Sequence, residues 1–190
     1  MERVYIESQT FEKSSLSESP LRKGDYEDCK FMHCDFGNIN FTDFNFTDCT
    51  FDNCNLSLAT LSNTTLNTVA FKYCKLAGLH FENCNDYLFS VSFEQCNLHL
   101  SSFYKRKLKS TVFTGCNLHE VDFSEADLSG SSFTNCDLLD AVFDNTVLEK
   151  ADFRSAINYR IDPEQNKIKK AKFSIDQLAG LLTKYNIDIS

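Results

Sequence analysis

The chain has 190 residues, a formal net charge of −8 at pH 7 and an aromatic content of 13%. This length suits one domain of ordinary size. No segment has the roughly 20 consecutive apolar residues of a membrane helix, and the N-terminus lacks the basic and apolar regions of a signal peptide. We therefore expect a soluble, cytoplasmic protein that does not enter a membrane and whose acidity disfavours direct binding of nucleic acid.

Residues 1–25 form an irregular N-terminal segment. Phe11, Leu16 and Leu21 lie five residues apart, but suitable small residues do not accompany them. We expect this segment to pair with and cover the first turn of the repetitive structure that follows, because an uncovered end would expose unpaired backbone groups.

Residues 26–155 carry an apolar residue, mostly Phe or Leu, at every fifth position. Phe113, Leu118 and Phe123 illustrate the spacing, and a small residue such as Cys116 or Val121 stands two places before each centre. A period of five fits neither a helix nor an ordinary strand. A unit this short cannot bury its apolar residue alone, so the repeats must stack as a solenoid.

This pattern resembles that of the pentapeptide repeat family. The resemblance implies an all-β solenoid, specifically a right-handed quadrilateral β-helix in which four pentapeptides form one coil. It also implies that each central Phe or Leu, and the small residue two places before it, point inward.

All nine cysteines occupy the small inward position. Six of them recur once per coil and should form one column: Cys34, Cys54, Cys74, Cys96, Cys116 and Cys136. Coils about 4.8 Å apart hold such thiols parallel, whereas tetrahedral zinc needs convergent ligands. We expect reduced, buried thiols and no cofactor.

The spacing of five fails once, after Phe81, where the next apolar centre is Leu88. Two extra residues must therefore bulge outward near residues 85–87. The bulge is either a tolerated surface kink or a contact point for a partner, because Tyr87 and Phe89 would leave aromatic rings on the outside.

Arg106 stands at the small inward position before Leu108, where an unpaired charge would be costly. The equivalent position one coil earlier is Asp86. The register therefore predicts an ion pair between Asp86 and Arg106 at the edge of the bulge.

Residues 156–190 read as a connector, a short C-terminal α-helix and a tail. Ser174 and Gln177 have the spacing of a capping box. The apolar residues of the helix and tail are Ile175, Leu178, Leu181, Leu182, Tyr185, Ile187 and Ile189. This apolar face is wider than a lid requires, so we expect it to join two copies in a homodimer. A monomeric cap is the alternative.

No catalytic constellation is found, and we expect the protein not to be an enzyme. All four histidines fall at outward positions, and His99 and His119, one coil apart, are the only pair worth naming as metal ligands. A square prism offers few clefts in which such a pair could act.

Acidic residues concentrate between residues 119 and 153, where Lys150 is the only basic residue. The candidate partner-binding acids are Glu120, Asp122, Glu125, Asp127, Asp137, Asp140 and Asp144, and Glu149 and Asp152 complete the set. Stacked coils would display them as rows on a rigid rod that attracts a basic groove. Solubility alone would also explain them.

Two segments carry a closer resemblance, to the quinolone-resistance group of the family. One is residues 151–189, and the other is TFEK followed by the first CKF and CDF repeats. The resemblance implies a rod-shaped dimer, joined through its C-terminal helix, that mimics duplex DNA and binds the type II topoisomerases DNA gyrase and topoisomerase IV. Some members of the group shield these enzymes from quinolones.

Carried over to this chain, Asp122, Asp127, Asp137 and Asp144 would face the basic DNA-binding saddle of the enzyme. Several relatives also project long loops, where this chain has a two-residue bulge. A structural or scaffolding module with an unrelated partner, contacted through residues 87–89, is therefore the second hypothesis.

Overall fold

The computed structural model describes residues 3–13 and 21–188. Leu16, which lies in phase with the repeats, and Ile189, a predicted dimer contact, lie outside these ranges. The strands of the described residues are β1 Val4–Glu7, β2 Thr10–Glu12, β3 Gly24–Glu27, β4 Lys30–Met32, β5 Asn45–Thr47, β6 Thr50–Asp52, β7 Thr65–Asn67, β8 Val69–Lys72, β9 Val91–Glu94, β10 Val112–Thr114 and β11 Ser132–Thr134.

These strands stack in parallel, one coil upon the next, so the predicted solenoid is confirmed. Strands β1, β3, β5 and β7 form one sheet, and β2, β4, β6, β8, β9, β10 and β11 form another. Phe31 pairs with Phe51, and Phe51 with Phe71, so one coil takes four pentapeptides. This interval agrees with the one that the family resemblance implies, and because it is a whole number of pentapeptides it stacks central residues on one another.

Isolated bridges extend the two sheets and build two further sides, which gives the rod four faces. Face 1 is the seven-stranded sheet, face 2 contains the ladder from Asp35 to Ile157, face 3 the ladder from His80 to Val142, and face 4 the four-stranded sheet and the ladder from Lys107 to Lys167.

The corners between faces use residues in the left-handed backbone conformation. Asp43 at φ 61°, Asn53 at φ 53° and Gly130 at φ 71° are examples. Asn, Asp and Gly adopt this conformation at low cost, which explains their abundance at outward positions. Leu58 and Leu100 adopt it as well, at φ 58° each, where the repeat requires a corner whatever the residue.

The core is a filled column of aromatic and aliphatic side chains. Ring centroids of Phe113 and Phe133 lie 5.0 Å apart and those of Phe133 and Phe153 lie 4.6 Å apart, with nearly parallel planes. Phe123 meets Phe133 edge to face at 6.0 Å. Both arrangements are favourable for aromatic pairs. Each Phe therefore contacts rings above and below it on its own face and a ring from another face of the rod.

The small inward residues satisfy buried carbonyl groups. The Cys74 thiol donates to the Phe51 carbonyl oxygen at 3.4 Å, and the Thr146 hydroxyl donates to that of Phe123 at 2.9 Å. A buried carbonyl left unpaired would be costly. Cys, Ser and Thr therefore suit this position by donating as well as by being small. The predicted inward placement of every cysteine is confirmed, and all nine are free and buried.

The register shifts by two residues after the 3₁₀ turn Phe81–Asn83, because Val69 pairs with Val91. The expectation that Leu88 fills the core is wrong: Leu88 is a left-handed corner residue that is 55% exposed. The expectation that the Phe89 ring lies outside is also wrong, since Phe89 is half-buried against the core. The Arg106 guanidinium lies 4.0 Å from the centroid of the Phe89 ring. This cation–π contact favours an aromatic ring over a Leu side chain at this place.

The N-terminal segment covers the first coil through strands, as Val4 pairs with Gly24 and Thr10 with Lys30. At the other end the ladder extends past residue 155. Asp152 bridges to Lys172, and Phe153 stacks on Phe173 at 5.4 Å. Part of the segment read as a connector is therefore a further coil.

The helix predicted after Ser174 is present, as 3₁₀ turns at Ile175–Leu181 and Thr183–Tyr185. The capping box is not formed. Ser174 makes no side-chain cap, and Gln177 instead accepts a hydrogen bond from the Asn158 backbone N–H at 3.4 Å. The helix is instead held by close contact with the last coil. Gly180 packs so tightly there that a Cβ at this position would lie 2.2 Å from the Tyr159 carbonyl oxygen. Within the described ranges, every helix is too short or too polar to cross a bilayer.

The stacked core makes a direct prediction about stability. Phe133→Ala should lower the free energy of unfolding by about 3–5 kcal/mol, because it removes a fully buried ring and leaves a cavity. Thr134→Ala, on the outer face of the same strand, should cost less than about 1 kcal/mol. Chemical denaturation followed by circular dichroism measures both. Similar costs for the two variants would contradict a core built on the Phe column.

Candidate interaction surfaces

The acidic residues between 120 and 152 lie on all four faces of the rod. Face 2 carries Glu120, Asp137 and Asp140, face 3 carries Asp122, Glu125 and Asp144, face 4 carries Asp127 and Glu149, and face 1 carries Asp152. A run of acids in the sequence is thus wrapped around two coils. Only those that share a face can contact one flat partner.

Most of these carboxylates pair with bases from neighbouring coils. The pairs are Glu120 with His99 at 4.0 Å, Glu125 with Lys105 at 3.5 Å, Asp127 with Lys109 at 3.2 Å, Asp137 with His119 at 2.8 Å and Asp140 with Arg160 at 3.5 Å. The sequence count, which found one opposing lysine, missed these partners because they lie about one coil away along the chain.

Asp122 and Asp144 on face 3, and Glu149 on face 4, differ from the other acids of the set. In the part of the chain that the structure describes, none of the three has a basic group within 4.0 Å. The Asp122 carboxylate accepts a hydrogen bond from the Ser124 backbone N–H at 2.8 Å, which fixes its orientation. Asp144 lies one coil further on the same face, beside Val142, which bridges to Asp122.

Face 3 continues as an acidic column into the last coil. Asp162 and Glu164 follow Asp144 there, and Lys184 lies 2.8 Å and 2.6 Å from their respective carboxylate oxygens. We call Asp122, Glu125, Asp144, Asp162 and Glu164 the acidic face. Its centre, at Asp122 and Asp144, carries the negative charge that is least neutralised.

Two of the carboxylates with partners, Asp137 and Asp152, are held ionised. The Arg154 guanidinium lowers the pKa of Asp152 to about 2 against the opposing effect of burial. Burial works against the ionised form of Asp137, but hydrogen bonds from His119 and Asn158 lower its pKa overall. These groups therefore carry their charge well below neutral pH.

The bulge brings Arg106 and Asp86 together. Arg106 Nη1 donates to Asp86 and also to the Cys84 carbonyl oxygen at 3.1 Å. Arg106 is buried, and burial lowers its pKa, whereas the Asp86 side chain is 97% exposed. Tyr87 is 71% exposed beside them. Of the two aromatic residues predicted as contacts here, only Tyr87 presents a largely free ring.

The C-terminal turns expose most of their apolar residues. Ile175, Leu178, Leu182, Tyr185 and Ile187 are exposed, while Leu181 packs against the core. Leu181, which the sequence placed in the dimer interface, therefore packs the helix against the last coil. The remaining described ones form an uncovered apolar surface at the end of the rod.

The two stacked histidines are engaged separately. His99 Nδ1 lies 3.2 Å from the His119 carbonyl oxygen, and His119 Nε2 lies 2.8 Å from Asp137. Among the described residues, no three His, Cys, Asp or Glu side chains converge as metal ligands.

The lowered pKa of Asp152 predicts how stability depends on pH. A carboxyl whose pKa falls from 3.8 to about 2 on folding stabilises the folded state above about pH 4 and loses this effect as the pH falls towards 2. Arg154→Gln should therefore lower Tm at neutral pH, and the difference from wild type should vanish near pH 2. Thermal melts across this range measure it. Lys150→Gln is the control, and a difference that persists at about pH 2 would contradict the prediction.

Comparisons with known proteins agree with this geometry. The family described as pentapeptide repeat region matches residues 24–85 and 87–173. A trypsin-treated form of QnrB1, a plasmid-mediated fluoroquinolone resistance protein, is similar in structure with a TM-score of 0.61 at 15% identity, over 99% of this chain and 98% of that one. Full-length QnrB1 gives 0.52 at 14% identity, over 97% and 98%.

At these identities the likeness to QnrB1 shows the fold alone. No match is found among curated proteins. The family match leaves out only the two ends of the chain and Asp86 in the bulge, and so covers well over half of it. The chain belongs to the pentapeptide repeat family.

Proposed function

We propose that this protein acts by binding another protein, and that its partner is a type II topoisomerase, DNA gyrase or topoisomerase IV, which it engages as a mimic of duplex DNA. Binding of this kind would modulate the enzyme or protect it from quinolones. The observation that carries the proposal is the acidic face, with the unpaired carboxylates of Asp122 and Asp144 at its centre. A partner that acts on DNA implies a cytoplasmic location.

A DNA mimic must hold its charges in fixed positions before it binds. The acidic face meets this requirement because its carboxylates stand on a backbone ladder, and the Ser124 N–H orients that of Asp122. Preorganised charges of one sign speed association with a basic groove and lose little conformational entropy.

The acids of the neighbouring faces extend this surface. Asp137 and Asp140 lie on face 2 and Asp127 on face 4, each paired with one base. Exposed ion pairs contribute at most about 1 kcal/mol, so the cations of a partner can replace those bases. The contact that we propose therefore centres on face 3 and reaches around both of its edges.

We also propose that two copies associate through the C-terminal turns. Ile175, Leu178 and Tyr185 are exposed at the end of the rod, where a second copy would cover them. Burial of apolar area stabilises association by roughly 25 cal/mol per Å² before the costs of association. A two-fold dimer would double the length of the acidic rod.

A scaffolding role with an unrelated partner is the second candidate. The observation in its favour is the bulge, where Tyr87 and Leu88 are exposed next to each other at 71% and 55%. Adjacent exposed apolar side chains form a patch of the kind that a protein partner covers.

Reversal of the two unpaired charges tests the topoisomerase proposal. The double variant Asp122→Lys and Asp144→Lys should bind gyrase at least about tenfold more weakly, because it places cations against a basic groove. The wild-type protein should alter supercoiling with and without quinolone, and its affinity should fall as salt rises. Supercoiling assays and titrations at two salt concentrations measure both effects.

The matched control is Asp48→Lys with Asp52→Lys, which makes the same charge change several coils away. This control should bind gyrase nearly as well as wild type. Equal losses in the two double variants would reject the acidic face as the contact. No effect of the wild-type protein at micromolar concentration, with the dimer intact, would reject the topoisomerase and favour the scaffold.

The dimer has its own test. Leu178→Asp with Leu182→Asp should convert the protein to a monomer while preserving the fold, because both side chains are exposed. Light scattering after size-exclusion chromatography measures the mass. Leu100→Asp, an exposed leucine in the middle of the rod, should remain dimeric. A wild-type protein that is monomeric at about 50 μM would refute the dimer, since a stable interface of standard size binds more tightly than this.

A further inference from the structure

We propose that the bulge forms a binding site for an oxyanion, a phosphate or phosphate monoester, anchored by Arg106. A cavity of about 260 Å³ opens there, and its walls are Asp86, Leu88, Phe89, Lys105, Arg106 and Lys107. Three cations and one carboxylate line it. This site meets the acidic face only at Lys105, which pairs with Glu125, and the inference does not depend on the topoisomerase proposal.

Arg106 is preorganised for an anion. Its guanidinium donates to the carbonyl oxygens of Cys84 and Asn85, at 3.1 Å each, and stacks 4.0 Å from the centroid of the Phe89 ring. Arg106 is 3% exposed, and its Nε has no hydrogen-bond partner in the described structure. The two carbonyl oxygens and the Phe89 ring hold the guanidinium in place, so that the Nη1 donor now taken by Asp86 is fixed in position for a phosphate oxygen.

Asp86 occupies this site as an internal stand-in for the anion. The coil-to-coil backbone ladder holds Asn85 and Ser90, through hydrogen bonds of 2.9 Å to Thr64 and Leu66. Within the described chain, residues 86–89 make no such bond. The Asp86 side chain is 97% exposed. Its carboxylate can therefore turn away into water at low cost when a more highly charged anion arrives.

The two lysines favour a doubly charged ligand over a single carboxylate. Lys105 forms an ion pair with Glu125 at 3.5 Å. Lys107 has no acidic group within 4.0 Å among the residues described. With Asp86 displaced, three positive charges would surround the cavity. A phosphate monoester, which carries nearly two negative charges at neutral pH, neutralises them better than Asp86 alone.

Removal of the Asp86 carboxylate distinguishes a binding site for an anion from an ion pair that only stabilises the fold. Asp86→Asn should bind inorganic phosphate roughly fivefold more tightly than wild type, because it removes an exposed competitor. Lys107→Gln should bind phosphate several-fold more weakly and leave the fold unchanged. Asp140→Asn, which opens the Arg160 pair on face 2, should match wild type. Isothermal titration at constant ionic strength, with chloride replaced by phosphate, measures all four.

The outcomes decide the proposal. An affinity of Asp86→Asn no higher than that of wild type or of Asp140→Asn would overturn it, as would an unchanged affinity in Lys107→Gln. If Asp86→Asn fails to fold, Lys107→Gln alone still tests the site. Phenyl phosphate identifies the source: tighter binding than inorganic phosphate, lost in Leu88→Ser, indicates a phosphoryl group on a larger molecule, and equal binding indicates free phosphate.

Discussion

The parallel register between neighbouring coils, offset by four pentapeptides, is the constraint on which the rest of the structure depends. It stacks Phe113 on Phe133 and places most inward thiols and hydroxyls, such as those of Cys74 and Thr146, against a carbonyl oxygen of the preceding coil. Each coil buries its apolar residues mainly against its two neighbours. A slip of one residue would therefore turn a whole coil inside out, which makes the backbone ladder and the core a single stabilising system.

The bulge shows how the fold accommodates a change in this register. Two inserted residues break the ladder between Asn85 and Ser90, and the column loses its central residue at that level. Phe89 and Arg106 restore the packing, because the guanidinium stacks on the ring and donates hydrogen bonds to the carbonyl oxygens of Cys84 and Asn85. The same repair leaves a cation beside a cavity. A local irregularity has in this way created the most distinctive chemical site on a regular rod.

The outer surface follows from the register as much as the core does. Outward residues of neighbouring coils contact each other, so Asp137 pairs with His119 and Asp140 pairs with Arg160. The net charge of a sequence segment is therefore a poor guide to the field outside the rod. What matters is which carboxylates lack a partner on the neighbouring coils. Among the acids between residues 119 and 153 these are Asp122, Asp144 and Glu149, and only Asp122 and Asp144 share a face.

The sequence by itself determined the solenoid, the inward cysteines and the position of the bulge, because repeats of five residues can bury their apolar residues only by stacking on one another. Only the tertiary structure decided that Phe89 and not Leu88 turns inward, that the last coil continues past residue 155, and that the C-terminal helix has 3₁₀ geometry. Each of these depends on a contact between residues far apart in the chain. The acidic face belongs to the same class, since neutralisation of a carboxylate is settled by partners one coil away.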